Sequence, residues 1–315
     1  MRVLVAQPIP ESAVKLLHEF FDVQAADHTL SMHEMIELIS GADALVCSAT
    51  NAVNRDVVAA ADALKVISTV AVGYNNIDIE AAMEKGIAVT NTPHTLTDSV
   101  AELVFGHLLA LARRIPESDR YVREGKFREW DLNLFVGFEL RGKTLGIIGF
   151  GAIGQALVPI ALGFGMKVLY NNRRGPVPDF REHPDVRYAE KGTVLETADV
   201  VVLLTPLESD TRHLITAREI AMMKPTSILI NMGRGPLVKE SDLVDALLAG
   251  RIAGACLDVY EFEPSVSKEL LTMPQVLLTP HIGSATREAR DRMAKRAAEN
   301  VIAVLSGGIC AYRIC

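Results

Sequence analysis

Aromatic residues make up only 5% of this chain, and tryptophan occurs once, at Trp130. A nucleic-acid surface of basic side chains interleaved with aromatics is therefore not expected, and no block of like charge occurs. The formal charge of −7, from 32 basic and 39 acidic residues, points the same way. Cysteine is equally scarce: Cys47, Cys256, Cys310 and Cys315 show no metal-ligand spacing. Cys47 and Cys256 fall in apolar runs and read as small core residues, as expected of a reduced, cytoplasmic protein. The histidines offer no metal site either, because His28 and His33 have no carboxylate or cysteine at ligand spacing. Met1 to Ala6 reaches polar Gln7 and Pro8 too soon for a secretory signal. The longest apolar stretch, 145–170, is broken by glycines, Gln155 and Pro159, which excludes a membrane span.

Small aliphatic residues are plentiful. They are arranged as short Val/Ile/Leu runs separated by helix-like segments, the pattern of α/β layers with buried parallel strands. At 315 residues the chain suits two domains better than one core. Through the first ninety residues, strand-like runs (3–6, 23–25, 44–47, 66–70, 87–90) alternate with helix-like segments. Ser31-Met32-His33-Glu34 reads as a capping box opening one of them. This βα series has no glycine fingerprint and is expected to form a flavodoxin-like domain.

Residues 145–174 read differently. Leu145 to Ile148 is a strand-like run that enters Gly149-Phe150-Gly151-Ala152-Ile153-Gly154. A helix-like segment follows, then a second strand at 168–170. Strand, glycine loop, helix and strand in this order make the dinucleotide fingerprint of a Rossmann-type domain. Gly149 allows the tight turn, Gly151 leaves room for a pyrophosphate, and Gly154 lets helix and strand approach. The helix N-terminus then presents N–H groups to the phosphates. The last helix, from Thr286, has few partners left in this second domain and is expected to return to the first. The expected division is 1–96 with 286–315 as substrate (lid) domain and 97–285 as NAD(P)-binding domain. The ligand is expected in the crevice between them.

Three further segments follow strand-like runs. Asn231-Met232-Gly233-Arg234-Gly235-Pro236 carries an arginine between glycines, suited to gripping a carboxylate or carbonyl oxygen, though a solvated loop arginine would read the same. Asp258-Val259-Tyr260-Glu261-Phe262-Glu263-Pro264 carries three acids, and Thr279-Pro280-His281-Ile282-Gly283-Ser284 a histidine. An imidazole with an orienting carboxylate is the usual unit for moving a proton at neutral pH.

With these segments and Val70-Ala71-Val72-Gly73-Tyr74-Asn75-Asn76-Ile77-Asp78, the chain resembles the D-isomer-specific 2-hydroxyacid dehydrogenases over essentially its whole length. The resemblance implies that Arg234 binds and polarises a 2-oxo acid, that His281 is the general acid/base, and that Glu263, not Glu261, orients it. It implies that the backbone at Val72 and Gly73 holds the substrate carboxylate. It makes Trp130 a candidate substrate contact from a neighbouring subunit, with a core or interface tryptophan as the alternative. The implied cofactor site draws on Gly149, Gly151, Ala152, Ile153, Gly154 and Asn172 with Arg173 and Arg174. Thr97, Thr205 and Pro206 belong to it, as do Met232, Gly233, Arg234, Asp258, His281 and Gly283. The helical region 97–125 is implied as a homodimer contact, although its apolar face (Leu103, Val104, His107, Leu108, Leu111) is also what a buried intrachain helix would show.

Two specificities remain. At the end of the second strand Asn172 stands where an NAD enzyme usually has an acid, and Arg173 and Arg174 follow. This favours NADP(H) over NAD(H), unless both arginines are merely solvated. The segments 72–76 and 91–98 look most similar to the glyoxylate/hydroxypyruvate reductase branch. The expected activity is reduction of a small 2-oxo acid to the D-2-hydroxy acid. The alternatives are a reductase for pyruvate or a branched 2-oxo acid, or a nucleotide-sensing, corepressor-like binding protein.

Overall fold

The computed structural model describes all residues, 1–315, as two compact units: Met1–Leu96 with Ser284–Cys315, and Thr97–Gly283. The return to the first unit falls at Ser284, two residues before the expected position.

The first unit alternates strands β1 (Arg2–Val5), β2 (Asp22–Ala25), β3 (Ala44–Cys47), β4 (Val66–Thr69) and β5 (Ala88–Thr90) with four helices. These are α1 (Glu11–His18), α2 (Met32–Ile39), α3 (Arg55–Ala60) and α4 (Ile79–Glu84). The sheet is parallel with order β2-β1-β3-β4-β5, the flavodoxin-like order. The central strands β3 and β4 are buried throughout, whereas polar Asp22 and Gln24 put β2 at an edge. The capping box at α2 forms as read, with Ser31 and Glu34 bonding each other's backbone N–H groups.

The second unit begins with α5 (Thr97–Ala112) and α6 (Ile115–Arg123). It continues through β6 (Thr144–Ile148), α7 (Ala152–Gly163), β7 (Lys167–Asn171), β8 (Val186–Tyr188), α8 (Lys191–Thr197) and β9 (Val200–Leu203). It ends with α9 (Ala217–Met222), β10 (Ile228–Asn231), α10 (Glu240–Leu248), β11 (Gly254–Leu257) and β12 (Val276–Leu278). All seven strands are parallel in the order β12-β11-β10-β9-β6-β7-β8. This is the Rossmann order with one added edge strand, and β6 opens it at the switch point. The apolar stretch 145–170 is thus β6, α7 and most of β7; no helix is long and apolar enough to cross a membrane.

The last helix, α11 (Arg287–Leu305), belongs to the first unit. Its Met293, Ala294, Ala297, Ala298 and Val301 share a core with Val3, Val5, Leu17, Val46 and Val66. Small alanines on that face let the helix backbone lie close to the sheet, and Ser68 Oγ donates to the Ala297 carbonyl at 3.0 Å.

Candidate active site

The segments 231–236, 258–264 and 279–284 lie at the carboxyl ends of β10, β11 and β12. After β10, buried Asn231 shapes the turn: its Oδ1 accepts from Gly233 N–H at 3.1 Å and its Nδ2 donates to the Arg234 carbonyl at 3.0 Å. Arg234 is half-buried, and the only intrachain hydrogen bond of its guanidinium runs from Nη1 to the Gly233 carbonyl at 2.8 Å. No carboxylate lies within ion-pair distance of its guanidinium. Burial pushes the Arg234 pKa down, and the nearby Glu263 charge opposes this. A half-buried guanidinium without a counter-ion is poised for an anionic or carbonyl ligand.

Glu263 and His281 come from the turns after β11 and β12. His281 Nδ1 lies 3.1 Å from Glu263 Oε2, while Glu263 Oε1 accepts from Tyr260 N–H at 3.0 Å. Burial pushes the Glu263 carboxyl up, but the hydrogen bond and charge of His281, the Tyr260 N–H and the Arg234 charge together hold it below its ordinary value. Glu261 is turned elsewhere, onto His213 Nε2 at 2.5 Å. With Nδ1 on the carboxylate, His281 Nε2 is left for a substrate oxygen.

His281 sits in the left-handed backbone region, at φ 54°. Asp258, 2% exposed, holds the turn there: Oδ1 accepts from Thr279 Oγ1 (2.6 Å) and Ile282 N–H (2.8 Å), and Oδ2 from Gly283 N–H (2.8 Å). Asp258 was expected among the cofactor contacts; the structure shows its oxygens engaged by this turn. Thr279 Oγ1 also meets Nε2 of buried His107 on α5 at 3.1 Å, and burial lowers the His107 pKa. Nothing in the sequence spacing signals this chain of three side chains, because 172 residues separate His107 from Thr279.

The glycine loop fits a dinucleotide. Gly149 has φ 100°, and a Cβ there would stand 2.5 Å from the Thr205 nitrogen. A Cβ on Gly154 would stand 2.8 Å from the Gly149 carbonyl oxygen. At Gly151, by contrast, an added Cβ would meet nothing within 4 Å, so open space lies at the start of α7. The first helical bond there is Gln155 N–H to the Gly151 carbonyl, so the N–H groups of Ala152, Ile153 and Gly154 have no helical acceptor. Thr205 Oγ1, in the segment facing Gly149, is buried with no partner. Pro206 is exposed, Met232 buried, and Thr97 starts α5.

Past the end of β7, Asn172 is half-buried and both arginines are exposed, but they are not equivalent. Arg173 Nη2 is 2.6 Å from Glu208 Oε2 and Nη1 is 3.9 Å from Asp210 Oδ2, whereas Arg174 has no ion-pair partner. Glu208 was not visible to sequence reasoning, since it lies 35 residues from its partner.

Val72 and Gly73 belong to the first unit, in the turn after β4, and neither N–H donates to an acceptor in the chain. Trp130, in the second unit, is 77% exposed. On α5, Val104, His107 and Leu108 are buried within the chain. The face considered for a dimer contact is therefore largely an internal one. The exposed apolar side chains lie further on, at Ile115, Val122, Phe127, Trp130, Leu132 and Val136.

Residues 105–283 match the family model for the D-isomer specific 2-hydroxyacid dehydrogenase NAD binding domain. The chain belongs to that family. This 2-hydroxyacid dehydrogenase is 44% identical to the glyoxylate reductase of Thermococcus litoralis over 314 residues, 98% of this chain and 95% of the relative. It superposes on the crystal structure of a Thermus thermophilus protein with TM-score 0.93 and 40% identity, each chain covered completely. It also superposes on an NADPH-dependent glyoxylate/hydroxypyruvate reductase from Sinorhizobium meliloti, solved with NADP and malonate. There the TM-score is 0.86 and the identity 30%, over 100% of this chain and 96% of the other. The 2-hydroxyacid dehydrogenase is thus an oxidoreductase with an NAD-binding domain, similar within its family to the glyoxylate reductases.

Proposed function

We propose that the protein reduces a small 2-oxo acid, glyoxylate or hydroxypyruvate, to the D-2-hydroxy acid, using NADPH in preference to NADH. The observation that carries this reading is the His281–Glu263 pair at 3.1 Å, beside the unpaired Arg234. His281 Nε2 gives its proton to the substrate carbonyl oxygen, and Glu263 keeps the ring oriented and balances its charge. Arg234 grips the same oxygen and the carboxylate, stabilising the negative charge that builds on the oxygen. The Val72 and Gly73 N–H groups of the first unit have no acceptors of their own and are open to a carboxylate. Bound nicotinamide supplies the hydride. The dinucleotide would be held through its pyrophosphate at Gly151 to Gly154 and its adenine ribose near Asn172, with Thr205 Oγ1 as a waiting polar partner.

NADPH is favoured because no carboxylate stands at 172 to repel a 2′-phosphate and Arg174 is free to receive it. The six exposed apolar side chains between 115 and 136, Trp130 among them, support a homodimer. The test is loss of NADPH and NADH absorbance with a panel of 2-oxo acids. Turnover of glyoxylate or hydroxypyruvate, faster with NADPH, is expected. No turnover with any 2-oxo acid would overturn the reading.

A further inference from the structure

Sequence alone presents the end of β7 as doubly positive. In the structure two carboxylates, Glu208 and Asp210, face Arg173, whereas Arg174 has no ion-pair partner. We propose that Glu208 limits the preference for a 2′-phosphorylated cofactor by competing with the phosphate for Arg173. This rests on the reading of Arg173 and Arg174 as the 2′-phosphate site.

The carboxylate is well fixed for that role. Thr211, buried, donates from Oγ1 to the Pro206 carbonyl at 2.8 Å and accepts from Glu208 N–H at 2.7 Å. Arg212 N–H returns to the Glu208 carbonyl at 3.1 Å. The backbone under Glu208 is therefore tied into a tight turn next to Thr205 and Pro206, and its side chain reaches Arg173 from a held base. The ion pair itself is exposed, and such pairs contribute little. A 2′-phosphate, carrying nearly two negative charges, can displace the carboxylate, but it then sits beside Glu208 and Asp210 as like charges. A ribose carrying free hydroxyls meets no such repulsion, and a carboxylate is the group that receives those hydroxyls in NAD sites. Glu208 thereby keeps NADH usable where the arginines alone would favour NADPH strongly.

The experiment measures binding of 2′,5′-ADP and 5′-AMP by calorimetry, alongside kcat/KM with NADPH and NADH, for the wild type, E208Q, R173A and the double variant. E208Q is expected to tighten 2′,5′-ADP binding by about three- to tenfold, with a smaller change for 5′-AMP. The NADPH-to-NADH ratio should rise in step, and the gain should shrink in the R173A background. If R173A weakens 2′,5′-ADP binding but E208Q leaves it unchanged or weakens it, the competition by Glu208 is overturned and the phosphate site stands. If R173A changes nothing, both fail together.

Discussion

The Gly235 backbone lies flush against the Tyr260 carbonyl: a Cβ added to Gly235 would stand 1.7 Å from that oxygen. The turn bearing Arg234 and the turn bearing Glu263 are thus in backbone contact. Carboxylates lock them further. Glu261 Oε2 accepts from Glu240 N–H at 2.8 Å, Glu240 Oε2 accepts from Glu261 N–H at 3.1 Å, and Glu240 Oε1 takes the Ser267 N–H and hydroxyl. Gly235→Ala is therefore expected to destabilise by at least about 1–3 kcal/mol, because backbone rather than a flexible side chain must give way. It should also lower kcat/KM by separating Arg234 from the His281–Glu263 pair. A melting temperature and kcat/KM equal to wild type would contradict the contact.

Removing the proposed proton donor should be severe. His281→Ala is expected to lower kcat by about two to four orders of magnitude. Glu263→Gln should lower it less, since the amide can still hold the ring but cannot balance its charge. Circular dichroism matching wild type would show that the loss is chemical. Full activity in both variants would remove the assigned roles.

Arg234 should not tolerate lysine. A single ammonium cannot grip two oxygens at once, so Arg234→Lys should raise KM for the 2-oxo acid and lower kcat, with a combined loss of at least about tenfold. Steady-state kinetics with the substrate varied reads both. A lysine variant as active as wild type would mean the guanidinium fork is not used.

The capping box predicts a pH effect on stability. The Ser31 hydroxyl and N–H and the His28 ring bond to Glu34, which holds its carboxyl at about 2, below the ordinary 4.5. A depressed carboxyl contributes stability above the unfolded value and loses it as pH falls through the folded one. Urea unfolding between pH 4.5 and pH 2 should therefore fall less steeply for Glu34→Gln than for wild type. Ser31→Ala should cost about 1 kcal/mol at neutral pH.

Light scattering should give about twice 34.2 kDa if the exposed apolar side chains between 115 and 136 form a dimer contact. Val122→Asp should then yield monomer. A monomeric wild type would sink the dimer and, with it, Trp130 as a contact to a second subunit's substrate.

Much of this protein was legible from residue order, for a physical reason. A buried parallel strand must be a short apolar run, and a dinucleotide turn admits only glycine where the backbone is pinched. So 145–154 announced β6 and the start of α7, and Ser31 with Glu34 announced α2. The residues after β10, β11 and β12 were likewise recognisable, because parallel strands deliver their following turns to the same edge of the sheet. Pairing across long separations was not legible. Glu261 and Glu263 are both acids in one turn, and only the folded backbone sends one to His213 and the other to His281. Arg173 reads as a free cation until Glu208 is brought beside it, and α5 as either a dimer face or a buried helix until its His107 is seen against Thr279. Such contacts depend on where side chains converge in space, and local spacing carries no record of that convergence.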